Sequence, residues 1–68
     1  MADALANNLR EERARLGWTQ AELAERVGVS RKTINTVENG VFVPSTTLAL
    51  KLAAAIGKPV EDLFHLIE

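Results

Sequence analysis

Cysteine and tyrosine are both missing from this 68-residue chain, and proline (two), glycine (four) and aromatic residues (one Trp, two Phe) are sparse. Without cysteine there is no disulfide framework, no thiolate nucleophile and no cysteine-ligated zinc. No apolar run approaches the ~20 residues that a membrane span needs. Met1 to Arg15 shows no apolar core followed by a cleavage-like site, so neither an anchor nor a secretory signal is expected. Charge of one sign is lacking too: eight basic and nine acidic residues leave a net charge of −1. A global basic excess therefore cannot point to a nucleic-acid partner, and any such claim rests on where the charges sit. No catalytic constellation is legible: there is no nucleophile–base set, glycine-rich phosphate loop or metal motif. Gly57-Lys58 lacks the upstream glycine of a phosphate loop, and the lone His65 has no second His or Cys to complete a metal site. No enzyme activity, cofactor or metal is expected. Nor is a small-molecule ligand, since a short bundle leaves little interior for one.

What is present is ordinary globular composition, 47% hydrophobic and 25% charged, in a length that suits one domain, residues 1–68. A core this small is marginal, and such domains often oligomerise. Apolar residues recur at helical spacing between the glycines and prolines. The pattern predicts a first helix over about Asp3 to Leu16, with Leu5, Leu9 and Leu16 on one stripe. Thr19 and Glu22 form a T-x-x-E capping box that starts a second helix, Gln20 to Val27, closed by Gly28. Trp18 should be a partly buried lid at its start. Ser30 caps a third helix, Arg31 to Asn39, with Ile34 and Val37 inward. Ser45 caps a fourth, Thr46 to Ile56, with Leu48, Leu52, Ala55 and Ile56 inward. Pro59 opens a short fifth helix, Val60 to Phe64. Val41-Phe42-Val43 is the one β-like run, and Pro44 cuts it short. Glu11, Glu12, Glu22 and Glu25 read as solvated helix faces. The expected fold class is all-α, a five-helix bundle.

Two short helices separated only by Gly28, Val29 and Ser30 should cross steeply, as a helix-turn-helix spanning about residues 20–39, with small Ala24 at the crossing. Arg31, Lys32, Asn35 and Thr36 share the solvent face of the third helix and can all donate hydrogen bonds. From Val29 to Thr36 there are two basic residues and no acidic one, whereas Glu61, Asp62 and Glu68 fall at the other end of the chain. A neutral total can thus hide a locally positive face.

At these residues the sequence closely resembles the Cro/phage-repressor (Xre-type) helix-turn-helix family of bacterial and phage transcriptional regulators. The matching stretches are TQAELAERVGVSRKTINTVENG, Thr19 to Gly40, and PSTTLALKLAAAIG, Pro44 to Gly57. The resemblance runs from about Leu9 to Phe64 and is to the minimal, single-domain members. It implies base contacts from Arg31, Lys32, Asn35 and Thr36, and phosphate contacts from Gln20, Ser30 and Asn39. It also implies an ion pair between Arg13 and Glu38 tying the first helix to the third. Independently, a basic side chain on the apolar stripe of helix one needs an acidic partner. Arg31 and Lys32 stand where phage repressors carry amide side chains. Since Arg and Lys favour guanine O6 and N7, each half-site should contain at least one G·C pair.

The expected function is therefore sequence-specific binding of double-stranded operator DNA, as a cytoplasmic repressor whose third helix enters the major groove. A homodimer on an inverted repeat is expected. The apolar tail within residues 59–68, Leu63, Phe64, Leu66 and Ile67, either docks on its own core or pairs across a dimer as a short antiparallel strand. The rival class is a protein-interaction module, antitoxin-like or a helix-turn-helix that no longer binds DNA, and the balanced charge keeps it open.

Overall fold

The computed structural model describes residues 4–67. Its elements run β1 (Ala4–Asn7), α1 (Leu9–Arg15), α2 (Gln20–Val27), α3 (Arg31–Glu38), α4 (Thr46–Ile56), α5 (Val60–Leu63) and β2 (Phe64–Ile67). All five expected helices are present, and α2 and α4 match their expected bounds residue for residue. The caps are made as expected. Glu22 N donates to Thr19 Oγ1 at 3.1 Å while Thr19 N donates to Glu22 Oε1 at 3.0 Å. Ser30 and Ser45 accept from Thr33 N and Leu48 N at 3.2 and 3.1 Å.

The fold is not purely all-α, because the two ends of the described chain form a small antiparallel sheet. Ala4 pairs with Ile67, Leu5 with Leu66, Ala6 with His65 and Asn7 with Phe64. The first helix accordingly starts at Leu9, not near Asp3, which lies outside the described residues. Pairing with β2 holds Ala4–Asn7 extended, and the Asn7 side chain takes up backbone groups at the helix start. Leu9 N donates to Asn7 Oδ1 at 3.1 Å, Asn7 Nδ2 donates to the Val37 carbonyl at 2.9 Å, and Asn8 N donates to the Leu63 carbonyl at 3.1 Å. These bonds pin the entry of α1 against α3 and α5. At the other end Phe64 leaves the helical region (φ −127°, ψ 138°) and begins β2 rather than closing α5. Val41-Phe42-Val43 forms no strand.

Leu9, Leu23, Ile34, Val37, Leu52 and Leu63 are the largest fully buried side chains, so all five helices contribute to one core, with Phe64 of β2 in it and Leu5 of β1 packed against it. In α4 the buried face runs Leu48, Leu52, Ala53 and Ile56, with Ala55 packed at the margin. Ala24, also buried, lets α2 and α3 approach. Between them Gly28 takes φ +75°, and Val29 N returns to the Ala24 carbonyl at 3.0 Å. Open space surrounds the missing Cβ of Gly28, so the demand for glycine there is the left-handed backbone itself.

Candidate nucleic-acid interface

The N-terminus of α3 projects Arg31 and Lys32 from the turn, and both are exposed. Most of the other cations are engaged. Arg10 and Arg13 hold Glu38, Arg15 and Lys58 hold Glu12, and the Arg26 guanidinium lies 4.0 Å over the Trp18 ring. Among the described residues this leaves Arg31, Lys32 and Lys51 without a carboxylate or aromatic partner. Lys51 lies on α4, so the uncommitted positive charge gathers at the start of α3. There the helix's own N–H groups add to it. Gln20, from the start of α2, joins Arg31, Lys32 and Asn35 in lining one shallow concavity.

Beneath that face lies a charged anchor. The Glu38 carboxylate, fully buried, accepts from Arg13 Nε at 2.8 Å and Nη2 at 3.3 Å, from Gln20 Nε2 at 3.1 Å and from Arg10 Nε at 3.4 Å. Arg13 Nη1 also donates to the Trp18 carbonyl at 2.8 Å, which ties in the segment leading into α2. Burial pushes the Glu38 pKa up, but the hydrogen bonds from Arg13 and Gln20, the Arg13 charge and the Arg10 bond outweigh it, holding the group below its ordinary value. One carboxylate thus fixes α1, α2 and α3 relative to each other.

The remaining residues expected at the interface sit in a linked amide network. Asn35 Oδ1 accepts from Gln20 Nε2 at 3.2 Å and from Asn39 Nδ2 at 3.3 Å, and Asn39 Oδ1 accepts from Arg10 Nη2 at 2.7 Å. With its oxygen occupied twice, Asn35 has its Nδ2 amide left to offer. That suits a donor to an acceptor atom better than the two-bond pairing with adenine, which needs the oxygen as well. Thr36 donates its hydroxyl proton to the Thr33 carbonyl at 3.0 Å, so it too is less free to donate than its position implies. Ser30 is engaged as the α3 cap and lies 3.0 Å from Thr33 Oγ1.

Several roles were not legible beforehand. Arg10 joins the Glu38 cluster; its position three residues before Arg13, on the same helical face, was the available signal. Glu12, read as solvated, is largely buried and accepts from Arg15 Nε at 2.7 Å and Lys58 Nζ at 3.1 Å. The hydrogen bonds from Arg15 and then Lys58 hold its pKa low against burial. Lys58 is 46 residues away, and only the fold brings it there. In the tail, Leu63 and Phe64 belong to the chain's own core, which leaves Leu66 and Ile67 (61% and 53% exposed) as the members facing outward.

Two short packed helices joined through a left-handed Gly28, a basic helix start and an ion-paired base define the class: a helix-turn-helix DNA-binding domain. The helix-turn-helix family profile matches residues 9–63. An uncharacterised HTH-type transcriptional regulator of Methanothermobacter thermautotrophicus is 52% identical over 61 residues, covering 88% of each chain. The uncharacterised HTH-type transcriptional regulator YgzD of Bacillus subtilis is 45% identical over 64 residues, 94% of this chain and 97% of that one. The restriction-modification controller protein C.AhdI of Aeromonas hydrophila superposes with a TM-score of 0.76 at 35% identity, over 79% of this chain and 82% of its own. The chain belongs to the Xre/Cro-type helix-turn-helix family of transcriptional regulators.

Proposed function

We propose that the protein is a sequence-specific, double-stranded DNA-binding repressor that acts as a homodimer in the cytoplasm, with α3 in the major groove of each operator half-site. The observation that carries this reading is the pair of uncommitted cations, Arg31 and Lys32, at the start of an α3 held rigidly by Glu38. Arg31 and Lys32 read base edges, favouring guanine, and Asn35 donates from its amide beside them. Gln20, Ser30 and Asn39 serve the phosphate backbone, Gln20 through the N–H groups at the N-terminus of α2, because its Nε2 protons go to Asn35 and Glu38. Two domains related by a two-fold axis place their α3 helices about one helical turn, ~34 Å, apart, and so select an inverted repeat. A dimer bound near a promoter blocks polymerase. Selection of sites from a random duplex pool at near-physiological salt tests this. An enriched inverted repeat containing guanine opposite α3 is expected; a folded protein that enriches nothing defeats the reading.

The second reading, a protein-interaction module, draws on the outward-facing Leu50, Leu66 and Ile67. Replacing Arg31 and Lys32 with alanine separates the two. DNA binding should fall at least tenfold with the fold intact, whereas a module working through the tail would be unaffected.

A further inference from the structure

At the C-terminal end of α3 the chain turns back on itself and presents two apolar side chains beside the base-reading face. Gly40 takes φ +74°, Gly40 N donates to the Val37 carbonyl at 3.1 Å, and Val41 N donates to the Thr36 carbonyl at 3.0 Å. Those paired bonds are a Schellman closure, and Phe42 N adds a third, to the same Thr36 carbonyl at 3.2 Å. Val41 and Phe42 are therefore held in place relative to α3. A Schellman closure often brings the residue at the Val41 position into apolar contact with the last helical turn. Such a contact would cover Val41, yet it is 78% exposed, and Phe42 is 48% exposed. Packing does not explain why valine stands there, and about half of Phe42 is left uncovered beside it.

The two side chains and Lys32, Thr33 and Thr36 line one cleft. Lys32 and Thr36 also belong to the face that α3 offers to DNA, so the cleft opens onto that face. Its rim is cationic and its walls are largely apolar. Thr36 has committed its proton to the Thr33 carbonyl, which leaves its methyl group as its apolar contribution. In the major groove the one apolar feature of a base pair is the 5-methyl group of thymine. We propose that this cleft receives a thymine 5-methyl group, so that Val41 and Phe42 are specificity-determining residues that read T·A pairs beside the guanine read by Arg31 and Lys32. The inference rests on the DNA-binding reading above. Lys32 at the rim supplies charge complementarity to the duplex that carries the methyl group.

Deoxyuridine tests it directly, since it differs from thymidine by that methyl alone and pairs identically. On the selected operator, each thymine facing α3 is replaced singly by deoxyuridine, and affinity for the wild-type protein is measured. Loss of one buried methyl should weaken binding about fourfold at one or two positions. In Val41→Ala and Phe42→Ala the thymine/deoxyuridine ratio at those positions should fall toward one, while the preference for guanine persists. A wild-type ratio of one at every thymine overturns the proposal and leaves the DNA-binding reading standing, as does an operator with no T·A pair opposite α3. A folded protein that selects no site overturns both. Phe42 also borders the groove lined by Leu5, Pro44 and Phe64. An unchanged ratio in Phe42→Ala together with loss of the dimer would overturn the proposal and assign Phe42 to a second copy of the chain. Should either variant fail to fold, the wild-type comparison decides alone.

Discussion

Glu38 shows what one residue can control. Its carboxylate is buried because Arg13, Gln20 and Arg10 surround it, and removing its charge leaves the largely buried Arg13 guanidinium unpaired. Breaking such a pair costs about 3 kcal/mol or more, while a core of this size supplies only ~3–5 kcal/mol. Glu38→Gln should therefore lie near the edge of unfolding, as read from the urea midpoint; a loss below ~1 kcal/mol would mean the cluster is dispensable. The same group sets an acid limit. Its folded pKa is depressed, so its contribution is complete above the ordinary carboxylate range and disappears as pH falls through the lower folded value. Stability should decline as pH drops below that range, and less steeply in Glu38→Gln, with Glu12 and Glu22, also depressed, supplying the rest of the slope. Gly28 is a backbone counterpart. Gly28→Ala meets no clash but must hold φ +75°, at a cost of about 1–2 kcal/mol in chemical denaturation.

At the scale of elements, helices and sheet depend on different ranges of the chain. From α2 onward each helix carries its own start signal, and its buried face follows from apolar spacing. The sheet has no local signal, because its strands stand at opposite ends of the described chain and each is a single short edge. What retains β2 is Phe64, buried at its first position and adjoining Leu63 of α5. Phe64→Leu, which keeps the site filled but removes the ring, should cost about 1 kcal/mol and loosen β1 with it. Faster hydrogen exchange at Asn8 N, which bonds the Leu63 carbonyl, would report that loss; unchanged protection there would show that the sheet closes without its aromatic anchor.

For the whole molecule the question is how its apolar exterior is covered. Leu50, Leu66 and Ile67 all face outward, and Leu5, Ala49, Leu50, Val60 and Phe64 line a groove beside the sheet. An open-edged two-stranded sheet next to such a groove is a surface that a second copy can satisfy symmetrically. Sedimentation at micromolar concentration should give about twice the 7.4 kDa chain mass. Leu66→Lys should return it to the monomer with helix content unchanged. A wild-type monomer at that concentration would remove the dimer and, with it, the requirement for an inverted repeat.

The helices, their caps, the turn at Gly28 and the family itself were legible from residue order alone, because helix initiation, termination and amphipathic spacing are local. TQAELAERVGVSRKTINTVENG carries all of them within one stretch. The expected meeting of Arg13 and Glu38 came from family resemblance, and the structure places them 2.8 Å apart. Tertiary structure alone decided the rest. It drew Ala4–Asn7 out of the first helix by pairing it with Phe64–Ile67, buried Glu12 beneath Lys58, and engaged the oxygen of Asn35 and the proton of Thr36. Each of these depends on groups distant in sequence, or on hydrogen-bond partners that exist only once the helices are packed. Periodicity records which face of an element is apolar, but not which neighbour will lie against it.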